Sequence, residues 1–320
     1  MRFRTIASVA AGVAALALAV SGCSSSSTPS ASSAASAAQS VASQAQSAAS
    51  SVASRASGAV SSVQSAVSGA VADSQVLANA KNGKVVVGIK FDQPGLAQKN
   101  PDGTFSGFDV EVAKYVADEL GVDPANIEFK EAKSAEREGL IERGEVDYIV
   151  ATYSITDTRK EKVNFAGPYF IAHQDLLVKS DNADITGPDA MAGKILCSVT
   201  GSTPAQKVKD KYAADVALQE YGTYSECVEA LLAGSVDAVT TDDVILAGFA
   251  AQHPGELKLV GKGFSDENYG IGLEKSDTAG TAAINAAIAK MIADGSWKQA
   301  LQDTVGPSGY TIPTPPTPAS

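Results

Sequence analysis

Two hydroxyl side chains and a guanidinium follow a short apolar stretch of the chain, in the order Thr152, Ser154 and Arg159. Residues 147–150 have the pattern of a strand, and side chains just beyond a strand are free of its hydrogen-bond ladder. Arginine pairs two N–H donors with both oxygens of a carboxylate, and neighbouring hydroxyls donate to the remaining lone pairs. The group is therefore typical of a carboxylate-binding site, although an arginine that caps a surface turn has the same local pattern.

The elements that would position these side chains alternate between strand and helix. Short apolar runs predict strands at 84–89, 127–130 and 146–152, and apolar residues at helical spacing predict helices at 108–120 and 136–142. Each helix gives a connection long enough to reach a parallel neighbouring strand. The first part of the core is therefore predicted to be a parallel α/β sheet.

The next part of the chain repeats this plan and predicts a second lobe. Its expected elements are strands at 176–179, 194–199, 217–221 and 236–240, and helices at 204–216, 224–233 and 244–251. A strand at 269–273 and helical segments over 281–301, broken near 294–295, then return to the first lobe. Two chain crossings would join the lobes. Ligands of open α/β sheets bind beyond the carboxyl ends of the strands, so facing lobes would form a binding cleft.

The first residues of the chain predict export. A basic start, an apolar run over 6–20 and small residues before Cys23 are typical of a secretory signal peptide, here assigned to 1–22. The cysteine after small residues resembles the lipobox of bacterial lipoproteins, which implies cleavage before Cys23 and a lipid on that residue. An ordinary signal peptide with an incidental cysteine is the alternative. We therefore expect the protein at the extracytoplasmic face of the cell membrane, anchored by lipid rather than by a span.

The segment after Cys23 consists almost entirely of Ser, Ala, Gln, Val and Gly up to residue 72, with Arg55 as its one charge. It lacks the large apolar side chains that offset chain entropy, so it is predicted to be a tether, with a transient helix as an open possibility. A Pro-rich end is expected to be extended. The predicted division is a signal peptide at 1–22, a tether at 23–80, the first lobe at 81–178 and 267–306, the second lobe at 179–266, and a tail at 307–320.

Charge is distributed unevenly along the chain. Residues 1–72 hold three arginines and no acidic residue, whereas the other 248 residues carry 22 basic and 36 acidic side chains. Their net charge of −14 argues against binding to nucleic acid or to an anionic lipid surface. Basic side chains that cluster within such an acidic domain are therefore candidates for a specific role.

The three cysteines fit an exported protein. With Cys23 assigned to the lipid, Cys197 and Cys227 remain as an even pair in an oxidising compartment, and we predict a disulfide between them. Two buried free thiols are the alternative. The two histidines, His173 and His253, are far apart in sequence and lack metal-ligand spacing, so both are predicted to be structural or surface residues. We expect no metal site and no cofactor.

Five motifs are distributed along the core: Gly107-Phe108-Asp109-Val110, the runs at 154–159 and 165–169, Gly201-Ser202-Thr203 and Thr241-Asp242-Asp243. Together they resemble a known family, the bacterial solute-binding proteins for polar amino acids that serve ATP-driven importers. The resemblance covers roughly residues 82–305. The family implies a type II periplasmic-binding-protein-like fold of two α/β lobes that closes on a free amino acid and delivers it to an ABC permease. Residues 90–96 look like the glutamate-binding branch.

The resemblance also implies roles for individual residues. Arg159 would bind the α-carboxylate of the ligand, with Ser154 and Thr152 supplying further hydrogen bonds. Asp242 would bind the α-ammonium, while Asp243 is the nearer solvent-facing alternative, and one of the two is expected to cap the helix that follows. Gly201, Ser202 and Thr203 precede Pro204 at a helix start whose amides favour an anion, with Thr203 as the expected N-cap. An ordinary capped helix has the same local sequence.

Two further cations would set side-chain specificity. Lys90 and Arg137 match basic family positions that bind the distal carboxylate of the ligand, and two buried cations at one point favour a dicarboxylic amino acid over its amide. Solvated side chains at both positions are the alternative. Tyr224 matches another family position that contacts the ligand side chain, and helix packing is its alternative role.

The expected function is therefore binding without catalysis. The preferred ligand is glutamate, with aspartate next, and a binder of glutamine, asparagine or another polar amino acid is the rival within the same class. An enzyme on the same scaffold, such as a dehydratase of cyclic acids or a cell-wall lyase, is the rival from another class. Because neither enzyme needs a cofactor, cofactor motifs cannot exclude them. A sensor subunit would present the same closed surface as an importer subunit. A monomer is the simplest expected state.

Overall fold

The structure is a computed structural model that describes residues 74–318. The predicted signal peptide, the predicted lipidation site Cys23 and the tether as far as residue 73 lie outside the described residues. Within residues 74–318, no helix combines the length and the apolar character that crossing a membrane requires.

A short helix, α1 (Gln75–Lys81), precedes the first strand and packs against the first lobe. The Ser74 side chain accepts a hydrogen bond from the Leu77 amide at 3.1 Å and donates one to Asp277 at 2.8 Å. Val76 is fully buried in the core. The chain predicted as tether up to residue 80 therefore overlaps a packed helix, because two apolar side chains in a Ser- and Ala-rich sequence were too weak a signal to predict it.

Three parallel strands form the core of the first lobe. Strand β1 (Val85–Ile89) pairs with β5 (Ile127–Glu131) on one side and with β6 (Tyr148–Ile149) on the other. Helices α2 (Phe108–Glu119) and α3 (Arg137–Glu142) make the connections, as the sequence predicted. Strand β6 is shorter than the predicted 146–152, because the chain turns away from the ladder to build the site described below.

A small antiparallel sheet is inserted between β1 and α2, which the sequence analysis did not predict. It consists of β2 (Asp92–Gln93), β3 (Ala97–Lys99) and β4 (Phe105–Ser106). The Phe105 ring lies 4.8 Å from the ring of Phe91 and 5.2 Å from that of Phe129, so aromatic contacts attach this sheet to β5. Strands of two or three residues carry too little periodicity to be recognised.

One long strand belongs to both lobes. After the short helix α4 (Asp157–Lys160), β7 (Asn164–Lys179) pairs with β12 (Asp266–Leu273) over 164–173 and with β10 (Ala238–Asp242) over 174–177. Only 176–179 was predicted as strand, since Gly167 and Pro168 within the run argue against a sheet interior. The predicted lobe boundaries at 178 and 266 stay predictions.

The second lobe repeats the parallel plan. Strand β8 (Ile195–Val199) pairs in parallel with β9 (Ala217–Tyr221) and β10, and β11 (Leu257–Leu259) runs antiparallel to β7. Helices α5 (Pro204–Lys211), α6 (Tyr224–Ala233) and α7 (Asp243–Gln252) cover this sheet. The strand order across the whole molecule is β5-β1-β6-β12-β7-β10-β8-β9. The two-lobed α/β fold expected from the sequence is therefore confirmed.

The last helices return to the first lobe. Helix α8 (Thr278–Ala293) and α9 (Ser296–Thr304) are separated at Asp294 and Gly295, where the sequence predicted a break and where Gly295 adopts a positive φ of 86°. Trp297 is buried beside Phe108 and Phe170, and its indole N–H donates to the Tyr169 carbonyl at 2.7 Å. This aromatic cluster joins β7 to α2 and α9 of the first lobe.

A disulfide in the second lobe and the C-terminal tail complete the fold. Cys197 and Cys227 form the predicted disulfide, which joins β8 to α6 within the second lobe. Beyond α9, a short 3-10 helix at Gly306–Ser308 is followed by residues without regular secondary structure, and Tyr310 and Ile312 pack against the core.

The packing of α1 leads to a stability prediction. Replacing Val76 by alanine removes two buried methyl groups, so we expect Val76→Ala to lower the free energy of unfolding by about 2 kcal/mol. Lys81→Ala, at an exposed position of the same helix, is the matched control and should change it by less than about 0.5 kcal/mol. Urea unfolding followed by circular dichroism measures both. Equal stabilities for the two variants would contradict the role of α1 in the core.

Candidate functional site

A small, partly open cavity lies between the two lobes. The first lobe contributes four of the predicted site residues to its wall, Arg137, Thr152, Ser154 and Arg159. The second lobe contributes another four, Ser202, Thr203, Tyr224 and Asp242. Residues that lie far apart in sequence come together here because the carboxyl ends of parallel strands in both sheets face the cleft.

Arg159 bridges the two lobes. It lies on α4, whose N-cap Thr156 accepts a hydrogen bond from the Arg159 amide at 3.2 Å. Its Nη1 donates to the carbonyl of Ser154 at 2.8 Å, and its Nη2 donates to the carbonyl of Gly201 in the second lobe at 3.2 Å. Its Nε lies 3.6 Å from Oε1 of Glu138. The guanidinium is thus fixed in position while it still faces the cavity.

Arg137 is the second guanidinium of the wall and is fully buried. Its Nη1 donates to the carbonyl of Ala151 at 3.0 Å, and its guanidinium carbon lies 4.0 Å from the centre of the Tyr153 ring. The same ring lies 5.0 Å from the guanidinium of Arg159. Burial lowers the pKa of Arg137 to about 10, and the charge of Arg159 adds to that effect. Tyr153 therefore supports both cations by cation–π contact.

Lys90 is buried but does not reach the cavity wall. It follows β1, and its Nζ donates to Oγ of Ser134 at 2.8 Å, while Ser134 itself lines the cavity. Burial lowers the pKa of Lys90 to about 7, with Arg137 acting in the same direction and Asp92 in the opposite one. Lys90 and Arg137 are thus both buried, but only Arg137 lines the cavity, while Lys90 contacts Ser134 of the wall.

Thr152 has a strained backbone. Its φ is 45°, a left-handed conformation that β-branched residues rarely adopt. Its amide donates to Oδ2 of Asp109 at 2.9 Å, and its hydroxyl donates to Oε1 of Gln93 at 3.2 Å. Tyr169 donates to the other oxygen of Asp109 at 2.8 Å. Asp109, which the sequence analysis treated only as part of a motif, therefore holds this wall of the cavity in place.

Asp242 supplies the carboxylate of the wall. Its Oδ2 accepts a hydrogen bond from the Tyr269 hydroxyl at 2.5 Å, and its Oδ1 is buried without a hydrogen-bond partner among residues 74–318. Burial raises the pKa of Asp242 to about 7, and the charge of Glu267 adds to the rise. Asp243 points elsewhere: it accepts from the amides of Val244 and His173 at 2.8 and 3.1 Å. Asp242 occupies the N-cap position of α7 without a capping side-chain hydrogen bond, and Asp243 is the first residue of that helix.

The predicted helix start at 201–203 is only partly on the wall. Ser202 and Thr203 line the cavity, whereas Gly201 lines a groove outside it and meets Arg159 through its carbonyl. A Cβ on Gly201 would lie 2.5 Å from the Cα of Ala135, so glycine is required where the lobes approach each other. As predicted, Thr203 occupies the N-cap position of α5 and Pro204 is its first helical residue, but the Thr203 side chain makes no capping hydrogen bond. The physical reason is its helical backbone, at φ −101° and ψ −17°.

Tyr224 lies at the cavity and in the core of the second lobe. It lines the cavity, and it packs in the core at the start of α6. The capping box of α6, made by Thr223 and Glu226, fixes the position of this first helical residue.

The cavity wall includes residues that the sequence analysis missed. Ser134, Pro204, Thr241 and Ile245 complete it. Ser134 follows β5, and a search of all strand ends on the cleft side would have found it. Thr241 belonged to a motif that was recognised, but its role was not assigned.

The arrangement can bind a ligand that carries both carboxylate and ammonium groups. The wall holds two guanidiniums and one carboxylate, hence a net charge of +1, together with several hydroxyls. No group of three or more potential metal ligands occurs among the described residues.

Comparisons with known proteins agree with this geometry. Residues 85–306 match the family model described as bacterial extracellular solute-binding proteins, family 3. The glutamate-binding protein GluB of Corynebacterium efficiens is 53% identical over 247 residues, which cover 74% of this chain and 84% of that protein. The glutamine-binding protein GlnH of Bacillus subtilis is 38% identical over 219 residues, which cover 68% and 80%. A solved ancestral arginine-binding protein bound to glutamine matches with a TM-score of 0.65 and 33% identity, covering 70% of this chain and 98% of that one.

The support of Thr152 by Asp109 can be tested directly. Asp109→Ala leaves the Thr152 amide and the Tyr169 hydroxyl buried without an acceptor, so we expect the free energy of unfolding to fall by about 2–4 kcal/mol. Asp118→Ala, at an exposed position of the same helix, should change it by less than about 0.5 kcal/mol. Denaturant unfolding measures both, and a stability loss below about 1 kcal/mol for Asp109→Ala would refute this support.

Proposed function

Because the chain belongs to the bacterial extracellular solute-binding proteins of family 3, we propose that it captures glutamate in the cavity between its lobes. It serves as the substrate-binding component of an ABC importer and is not an enzyme, as its relatives and structural neighbours are solute-binding proteins. The observation that carries the ligand proposal is the composition of the cavity wall, with two guanidiniums, one carboxylate and a third cation behind it.

Charge balance favours a dicarboxylic amino acid. Glutamate at neutral pH carries one ammonium and two carboxylates, hence a net charge of −1. The wall together with the buried Lys90 behind it holds more cations than carboxylates, so glutamate supplies a counter-charge that glutamine lacks. An uncompensated buried charge is costly, and the electrostatic term therefore favours the acid.

The α-amino and α-carboxylate groups of the ligand have natural partners in the wall. We assign the α-carboxylate to Arg159, whose guanidinium is held in place from both lobes, with hydrogen bonds from Ser154, Thr152 and the start of α5 at 202–203. We assign the α-ammonium to Asp242, because its Oδ1 is buried, faces the wall region and lacks a partner within the described chain. This places the two charged groups of the ligand on opposite lobes.

The distal carboxylate is assigned to Arg137 and, through Ser134, to Lys90. Both cations are buried near each other, and Ser134 lies between Lys90 and the cavity. A hydrogen bond to a charged group contributes about 1.5–3 kcal/mol, so losing one pairing separates glutamate from glutamine by about tenfold to a hundredfold. Tyr224 contributes contact area at this end of the cavity.

Two other ligands are alternatives of the same class. Aspartate has the same charges with one methylene less, which shortens its reach to the distal cations. Glutamine is the second candidate, since one relative is a glutamine-binding protein at 38% identity. The relative at 53% identity is a glutamate-binding protein, which supports glutamate over glutamine.

We extend the proposal to the location of the protein. The lipobox-like Cys23 would anchor it at the extracytoplasmic face of the cell membrane, and the Ser- and Ala-rich residues that follow would act as a tether. The disulfide of the second lobe supports an oxidising compartment. A monomer would deliver the amino acid to the permease subunits of the importer.

Side-chain selectivity gives the first test of the function. Lys90→Met keeps the length of the side chain and removes its charge, so we expect glutamate to bind about tenfold to a hundredfold more weakly and glutamine to change by less than about threefold. Lys99→Met, at an exposed position of the first lobe, is the control. Calorimetric titration of ligand-stripped protein with each common amino acid measures the affinities. Equal losses for glutamate and glutamine would contradict the dicarboxylate site.

The pH dependence of binding gives a second test. Asp242 has a raised pKa near 7 and must lose its proton to bind an ammonium, so affinity increases as pH rises toward about 7. Lys90 has a lowered pKa near 7 and must hold its proton to bind a carboxylate, so affinity decreases as pH rises above about 7. We therefore expect the strongest glutamate binding near pH 7.

The Lys90→Met variant should lose only the alkaline decrease in glutamate affinity. Titrations at about pH 6, 7 and 8, each in two buffers of different ionisation enthalpy, would also detect proton uptake near pH 8 in the wild-type protein and none in the variant. A wild-type affinity that stays constant over this range would contradict both assignments.

A further inference from the structure

A carboxylate of the first lobe contacts the start of a helix in the second lobe. Asp92 lies in β2, and its Oδ2 accepts hydrogen bonds from the amides of Tyr224 and Ser225 at 3.0 and 3.3 Å. The Ser225 hydroxyl approaches the same oxygen at 3.4 Å. All three donors belong to the first turn of α6. One carboxylate oxygen therefore joins the two lobes at a helix N-terminus.

This contact lies far from the strand that connects the lobes. Strand β9, which leads into α6, is the edge strand of the second lobe and is separated from β7 by β10 and β8. On the other side, β1, which leads into β2, is separated from β7 by β6 and β12. Opening the cleft about the crossing strands moves the outer parts of the lobes furthest. Separation of the lobes must therefore stretch the contact of Asp92 with α6.

In the closed arrangement this carboxylate satisfies the first amides of the helix. The capping box within the second lobe pairs the Thr223 side chain with the amide of Glu226 and the Glu226 side chain with the amide of Thr223. The amides of Tyr224 and Ser225, between these two, are satisfied by Asp92 across the cleft. A negative charge at a helix N-terminus is also favoured by the helix dipole.

The segment that carries Asp92 also touches the ligand cavity from behind. Gln93, its neighbour, accepts the hydroxyl hydrogen bond of Thr152, a residue of the cavity wall. On the other side, Tyr224 lines the cavity, and its amide donates a hydrogen bond to Asp92. Asp92 itself is not part of the wall. It is therefore placed to hold the two walls together without touching the ligand.

We propose that Asp92 is a closure latch, a positioning residue that holds the second lobe shut over the bound amino acid and slows ligand release without selecting the ligand. The latch rests on the proposed binding function, since its effect is read from ligand release. Unlike Lys90 and Arg137, the latch stabilises the closed state for every ligand that permits closure. Asp92 also raises the pKa of Lys90, so glutamine, which lacks a distal carboxylate, gives the cleaner readout of the latch.

The test compares the wild-type protein with Asp92→Ala, Asp92→Asn and the control Asp102→Ala. Asp102 lies in the turn between β3 and β4, in the same small sheet, and accepts hydrogen bonds only from Thr104 of its own turn within the described chain. Stopped-flow binding of glutamate and of glutamine gives the association and dissociation rates. We expect Asp92→Ala to raise the dissociation rate about tenfold for both ligands and to leave the association rate unchanged within about twofold. Asp92→Asn, which keeps an acceptor oxygen without the charge, should give a smaller rise.

Other readouts separate a latch from a merely structural residue. The melting temperature of ligand-free protein should not change in Asp92→Ala, whereas the ligand-induced decrease in radius of gyration, measured by X-ray scattering, should become smaller. An unchanged dissociation rate, a loss confined to glutamate, or a lower melting temperature of the ligand-free protein would each overturn the latch. A wild-type protein that binds only glutamine would overturn the proposed ligand, and the comparison of Asp92 variants would then be made with glutamine. Binding of neither would overturn both proposals.

Discussion

Three cations buried in one small region dominate the energetics of this molecule. Lys90, Arg137 and Arg159 are almost completely excluded from solvent where the two lobes meet, and burying like charges together is costly. The surrounding chain offsets this cost unequally. Arg159 is surrounded by two carbonyls and Glu138, and Arg137 is stacked on Tyr153 with one carbonyl, but Lys90 is bonded to a single hydroxyl. Under the proposed function, closure of the cleft is favourable only when an anion completes this set of contacts.

Much of the fold is readable from the sequence because its elements are regular. Helix α6 was predicted at its observed bounds, since a capping box, an apolar stripe and a left-handed glycine mark its start, face and end. Strand β7 was not predicted over its full length, because the segment that joins the two lobes contains Gly167 and Pro168 and is stabilised by partners from both sheets. Such a strand is defined by tertiary contacts rather than by local pattern.

The site shows the same division between local and tertiary information. Eight of the ten predicted ligand residues reach the cavity wall, because strand ends and motif positions mark them. Lys90 and Gly201 stay off the wall, since Ser134 intervenes at one and close approach of the lobes leaves only a carbonyl contact at the other. The stacking of both guanidiniums on Tyr153 and the support of Thr152 by Asp109 depend on the approach of separate elements. No spacing in the sequence encodes those contacts.

The packing of α1 determines which lobe is attached to the preceding part of the chain. Val76 and Ser74 fasten the start of the described chain to the first lobe, and α8 and α9 belong to that lobe as well. Anything held through the preceding residues therefore holds the first lobe as the stationary body, and the second lobe becomes the moving one. A pulling force applied through those residues acts on α1 and its contacts with Asp277 and the core.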